Sequence, residues 1–221
     1  PVALTEDHKQ RLRERMAGGV FVSEHQGRVP KANYLAGLSG DRLAAAKHVE
    51  IISSLVELRR PRVLELRSKL AGILEPLRRL YDASPFAMPL FETHQFVIEE
   101  FYKIPATHLL DYDHFTIPYE GQFDLVVGNH ILTHAVRPIE LLKVIKDKLT
   151  PGGHVYFYNE ANEADFLGLG TSMINNLNAF HLQVFDAPSI ARMLVAAGFE
   201  PVLVARDHLN LLVLARNVEN P

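Results

Sequence analysis

The stretch FDLVVGNHILTHAVRPIELLKVIKDKLTPGGHVYFYNE, residues 123–160, decides the fold. Phe123 to Gly128 is apolar apart from Asp124, with two valines at its centre, and reads as a strand buried on both faces. Leu141, Ile145 and Leu149 then repeat every four residues, the spacing of one helical face. Pro151-Gly152-Gly153 ends that helix, and His154 to Tyr158 reads as the next strand. A buried strand, a helix and a second buried strand in this order predict a parallel pair with a right-handed crossover.

Working outward, the same alternation continues. Upstream, Arg62–Leu66, Ser84–Met88 and Thr107–Leu110 read as short strands. Between them lie a helix carrying Leu74, Leu77 and Leu80, with Pro76 in its first turn, and a helix from Gln95 to Tyr102 capped by Thr93. Downstream, a helix over Ser189–Ala197 takes Asp186 as its cap and Gly198 as its left-handed terminator. Pro201–Ala205 and Leu209–Ala215 follow, joined only by Arg206-Asp207-His208. No helix fits between them, so they pair antiparallel. The expectation is a three-layer α/β fold with a mostly parallel seven-stranded sheet ending in an antiparallel hairpin.

The amino-terminal part is different. Residues 5–16 read as a charged helix, and residues 18–34 as an irregular arm. Asp41 caps a helix reaching Leu58, with Ala45, Val49, Ile52, Leu55 and Val56 on one face. This gives an arm over 1–40, an α/β domain over 41–217 and a tail over 218–221. The opening Pro1 leads us to expect a preceding segment.

Bulk properties narrow the function. The 221 residues are 48% hydrophobic and 22% charged, with a net charge of −3, which suits a packed domain and not a nucleic-acid binder. Arg59, Arg60 and Arg62 read as a solvated turn at a helix end. Cysteine is absent, which removes thiolate chemistry, disulfides and cysteine-ligated metals. The first residues are too polar for a secretory leader, and no apolar run approaches the ~20 residues that cross a bilayer. A cytoplasmic protein with no membrane or nucleic-acid partner is expected. Its partner would be a small-molecule acceptor or another protein, and residues 1–40 leave a homodimer open.

Residues 123–160, the ending HLQVFDAPSIARMLVAAGFEPVLVARDHLNLLVLARN (181–217) and the strand at Arg62–Leu66 together resemble the class I S-adenosylmethionine (SAM) methyltransferases. The resemblance covers roughly residues 41–217 and rests on the Pro-Gly-Gly turn combined with the final hairpin. It implies SAM as cofactor, bound where the strands' carboxyl ends meet. Those ends are Leu66-Arg67, Met88-Pro89, Leu110-Asp111, Gly128-Asn129-His130 and Asn159-Glu160.

Two departures stand out against the family pattern. Its first loop reads acidic-x-Gly-x-Gly-x-Gly, so that the backbone can approach the donor closely. Here Glu65 and Gly72 remain, while Arg67, Lys69 and Ala71 occupy the glycine positions, with Ser68 among them. A like charge ~4 Å from the sulfonium costs on the order of 4 kcal/mol at an effective dielectric of 20. The family's ribose-binding acid after the second strand is replaced by Met88-Pro89-Leu90, with Glu92 the nearest carboxylate.

The resemblance assigns Glu65, Arg67, Ser68, Gly72, Asp111, Asp113 and Asn129 to the cofactor, with Asp111 or Asp113 as the adenine-contacting acid. His130 is the catalytic candidate, as a general base near neutral pKa. His134, Asn159, Glu160 and His181 are assigned to the substrate, and Glu163 extends that group. His130 and His134 have the i, i+4 spacing of a metal pair, but no carboxylate lies between them and no metal is expected. Gly168 and Gly170 read as a lid. Two functions follow: methyl transfer to a small polar or sugar-like acceptor, or a catalytically inactive module that keeps the fold for binding. A nicotinamide oxidoreductase needs the same lost glycines and lacks the hairpin.

Overall fold

In the computed structural model the described residues are 4–17, 45–68, 70–161, 182–207 and 210–218. Asp41, Lys69, His181, Glu163, the arm over 18–34 and the proposed lid glycines lie outside them. The elements are α1 (Glu6–Ala17), α2 (residues 45–55), β1 (Arg62–Leu66), α3 (Leu74–Tyr81), β2 (Ser84–Met88) and α4 (Glu92–Val97), which continues as a π-helical turn (Ile98–Tyr102). Then come β3 (Phe123–Asn129), α5 (Ile131–His134), α6 (Pro138–Asp147), β4 (Leu149–Ala161), α7 (Ala187–Ala196), β5 (Phe199–Asp207) and β6 (Asn210–Asn217).

The sheet order is β2-β1-β3-β4-β6-β5. β1 pairs parallel with β2 and β3, and β3 with β4, while β6 runs antiparallel to β4 and β5. The parallel pairing and the antiparallel terminal hairpin are those expected from the sequence. Among the described residues the count is six strands, where seven were expected. Thr107–Leu110 runs beside β2, with Ala87 N–H donating to Pro105 O (2.9 Å) and Leu110 N–H to Pro89 O (2.8 Å). No ladder forms there. The Tyr119 hydroxyl donates to Ala87 O at 2.7 Å, and Pro89 has no N–H to give.

Side chains of each strand alternate between two cores. Leu64, Leu66, Val126, Val155 and Phe157 pack against α6 and α7. Val63, Leu125, Val127 and Tyr156 pack against α2, α3 and the π-helical turn. Burial of each such side chain contributes about 1.5–3 kcal/mol, and a one-residue slip would reverse every face. The register is therefore fixed, and with it the row of residues at the carboxyl ends of the strands.

Local signals behave unevenly. Asp186 forms a full capping box with Ser189, and Gly198 takes φ 85°. Thr93 lies inside α4, whose N-cap is Phe91 without a side-chain bond; the extended Phe91 backbone starts the helix earlier than the threonine suggests. Arg59 and Arg60 are exposed, but Arg62 is not a solvated turn residue. It donates to Glu120 O and Gln122 O and lies over the rings of Phe86 and Phe123. Among the described residues no helix is long and apolar enough to cross a membrane.

Candidate functional site

The carboxyl ends of β1, β2, β3 and β4 form one row. Leu66 pairs with Met88 on one side and Gly128 on the other, and Asn129 pairs with Tyr158. One residue beyond Leu66 the chain enters the loop expected to meet the donor. Arg67 has φ 55° and Ala71 φ 52°, the left-handed conformation that glycine supplies without steric cost. Both positions thus keep a glycine-like backbone without glycine.

The loop is closed on itself. Ser68 Oγ donates to Glu65 Oε2 at 2.8 Å and accepts from Ala71 N–H at 3.2 Å. Glu65 is almost fully buried, and burial pushes its carboxyl up to about 7 against the bonds from Ser68 and from the Ile73 N–H. The described contacts give it no ion pair with Arg67. Arg67 Nε is buried and has no hydrogen-bond partner among the described residues. Gly72 does not take part in this turn: a Cβ there would meet only Ala45 Cβ, at an ordinary 3.9 Å. It lines a cavity of about 960 Å³ between α2, α3 and the π-helical turn, shared with Val49, Leu70, Tyr81 and Phe101.

Beyond β3, His130 also takes a left-handed φ of 51°, and its N–H donates to Tyr158 O at 3.1 Å. Gly128 is required just before it. A Cβ there would lie 2.3 Å from Ile131 Cγ1 and 3.3 Å from the Phe157 ring, so α5 can turn back across β3 only over a glycine.

The end of β4 carries a β-bulge. Pairing with β6 runs Phe157↔Val213 and then Glu160↔Leu211, so β4 has one extra residue between them, and Asn159 within it has φ 58°. A bulge shifts the alternation by one. Without it Glu160 would lie on the face opposite Phe157. With it, Glu160 turns onto the α5 side and is fully buried. Its Oε1 accepts from Ile131 N–H (2.7 Å) and Leu132 N–H (3.1 Å), and its Oε2 from Thr133 N–H (2.8 Å) and Thr133 Oγ1 (2.7 Å). These are the orphan donors of a helix start. Burial pushes the Glu160 carboxyl up, while the four donors favour its ionised form. All four acceptor positions are occupied, so Glu160 holds the His130 turn and is not available to an acceptor molecule as the sequence reading expected.

The neighbouring asparagines meet across the strand tips, with Asn159 Nδ2 donating to Asn129 Oδ1 at 3.0 Å. His130 and His134 have ring centroids 6.0 Å apart, and Tyr112 lies 6.0 Å from His134. The Tyr112 hydroxyl is 3.5 Å from His130 O. Tyr112 was not singled out by sequence, yet it brings the Asp111–Asp113 loop to α5. Asp111 is exposed and forms a local turn, accepting from Asp113 N–H (2.8 Å) and His114 N–H (3.2 Å), which holds its carboxyl below the usual range. Asp113 is exposed too and lines a cavity of about 350 Å³ with Tyr112, Phe115, Arg137 and Glu140. Thr133 O accepts from Leu182 N–H (3.0 Å) and Gln183 N–H (3.1 Å), so the chain re-enters beside α5 directly after His181. Among the described residues no group of three or more histidines and carboxylates could hold a metal ion.

A methyltransferase-domain family model matches residues 80–204, more than half of the 221 residues. The chain belongs to the class I SAM-dependent methyltransferase family. No curated protein matches its sequence. Among solved structures it is similar to a chain in the Haloferax volcanii complex of the Trm112 methyltransferase activator with a methyltransferase, at 14% identity and TM-score 0.69, covering 84% of this chain and 93% of that one. A SAM-dependent methyltransferase from Thermotoga maritima aligns at 14% identity and TM-score 0.62, over 96% of this chain and all of that one. The magnesium protoporphyrin IX methyltransferase of Synechocystis, solved with bound SAH (S-adenosylhomocysteine), aligns at 13% identity and TM-score 0.58, over 96% and 94%. At these identities the likeness concerns the fold. Within this methyltransferase fold, Arg67, Asn129, His130 and Asn159 occupy the carboxyl-end row.

Proposed function

We propose that the chain is a SAM-dependent methyltransferase for a small polar acceptor, with the donor held at the ends of β1, β2 and β3 and His130 as the base. One observation carries this reading. Of the seven non-glycine residues with left-handed backbone among the described residues, four, Arg67, Ala71, His130 and Asn159, gather at this one edge of the sheet. Each costs about 1–2 kcal/mol, and strain of this kind concentrates at binding and catalytic sites.

The residues fit a donor in named ways. The Arg67–Ala71 turn would hold its amino-acid portion, and the half-buried Arg67 brings a donor group that the described protein atoms leave unmet. Asp111 and Asp113 would face the adenosyl end, Asn129 the middle, and Glu92, at the start of α4 just past β2, is the nearest carboxylate for a ribose. SAM, when bound, supplies an electrophilic methyl group. The protein's part is to orient the acceptor and remove its proton. We assign this step to His130, on the turn that Glu160 caps, with His134 and Asn159 as its neighbours in the site.

A non-catalytic binding module is the second reading, supported by Arg67 and Ala71 standing where glycines would leave open space. Calorimetric titration with SAH separates the outcomes. Measurable binding together with methyl transfer from labelled SAM to a panel of small alcohols and amines supports the first reading. Binding without transfer to any of them favours the second, and no heat at millimolar SAH sinks the donor site altogether.

A further inference from the structure

Arg67 is the central residue of the strand-end row, one position past Leu66, whose partners are Met88 and Gly128. It keeps the left-handed backbone of a glycine while carrying the longest cationic side chain. Its Nε is buried without an acceptor among the described residues. Guanidinium nitrogens only donate, and a buried donor left unmet is costly. Neither Glu65 nor Ser68, the polar neighbours in this loop, is a described partner of that nitrogen. Glu65 takes the Ser68 hydroxyl and the Ile73 N–H, and Ser68 Oγ takes the Ala71 N–H. The last bond also removes a backbone donor that an open glycine loop would offer to a ligand.

An acceptor that reaches Arg67 with the ligand would be an anion or another strong acceptor. This step rests on the donor reading above. SAM carries a sulfonium, an ammonium and one carboxylate. A guanidinium repels the first two and attracts only the third. We propose that Arg67 binds the donor's α-carboxylate, replacing by one charge-assisted contact the backbone amides of a glycine-rich loop. The arginine then is the device by which this loop recognises the amino-acid end of the donor, and not an obstruction to it.

The test compares SAH with its decarboxylated analogue, which keeps the adenosyl group, the thioether and the ammonium. Affinities are measured by calorimetry on wild type, Arg67→Met and Arg67→Lys. Wild type is expected to prefer SAH by about tenfold or more, the range of a hydrogen bond to a charged group. Arg67→Met, which keeps the apolar stem, should bring the two ligands within about twofold by weakening SAH while leaving the analogue unchanged or tighter. Arg67→Lys should keep part of the preference, because it retains the charge and loses the planar fork. A preference that survives in Arg67→Met, or an equal loss for both ligands, overturns the carboxylate role while leaving the donor site standing. Failure of wild type to bind either ligand overturns both.

Discussion

Replacing Glu160 by glutamine changes one atom and should cost the domain about 2–4 kcal/mol. The carboxylate receives four donors in a fully buried position. Glutamine keeps one oxygen, best placed for the Ile131 and Leu132 N–H groups, but those two bonds lose charge assistance, about 1 kcal/mol each. The new amide faces the Thr133 N–H, donor against donor, which leaves a buried backbone group unmet at about 1–3 kcal/mol. The Thr133 hydroxyl can rotate to accept from the amide and costs little. Removing a buried charge returns part of the loss. With no tryptophan and seven tyrosines, unfolding is best followed by circular dichroism in urea. At an m-value of about 2 kcal/mol per molar the midpoint should fall by about 1–2 M. A midpoint within about 0.2 M of wild type would refute the reasoning, because it would mean that Glu160 does not cap α5.

Other outcomes follow from the same geometry. Glu65 has a folded pKa raised to about 7, so the stability it contributes is full below the ordinary carboxylate range and is lost as pH rises through about 7. Relative to Glu65→Gln, wild type should lose on the order of 3 kcal/mol between pH 4.5 and pH 8 in urea unfolding; parallel pH profiles would contradict this. Gly128→Ala drives a methyl into Ile131 and should destabilise by about 1–3 kcal/mol, displacing His130 and weakening SAH binding; unchanged stability and binding would show that α5 yields freely.

Much of the fold was legible because its strands are buried on both faces. Phe123–Gly128 is apolar but for Asp124, and Arg62–Leu66 but for Arg62 and Glu65, and no helical stripe competes with that reading. Thr107–Leu110 misled for a tertiary reason: its β-like composition does not reveal that the distant Tyr119 hydroxyl takes the carbonyl of Ala87. Glu160 misled for a geometric one. A polar residue after an apolar strand reads as site-facing, and only the bulge at Asn159 turns it inward. The left-handed Arg67 and His130 leave no compositional trace, since each occurs where glycine or asparagine is the usual signal. Tyr112 resembled any loop aromatic until its neighbours on α5 were known.

Amide hydrogen exchange with and without SAH measures most directly whether the strand ends act as one site. Concerted protection of peptides spanning Leu66–Gly72, Leu110–His114 and Asn129–His134 is the predicted result. Protection confined to the α2–α3 cavity, or to one of these three segments alone, would contradict a shared donor site at the sheet's carboxyl edge.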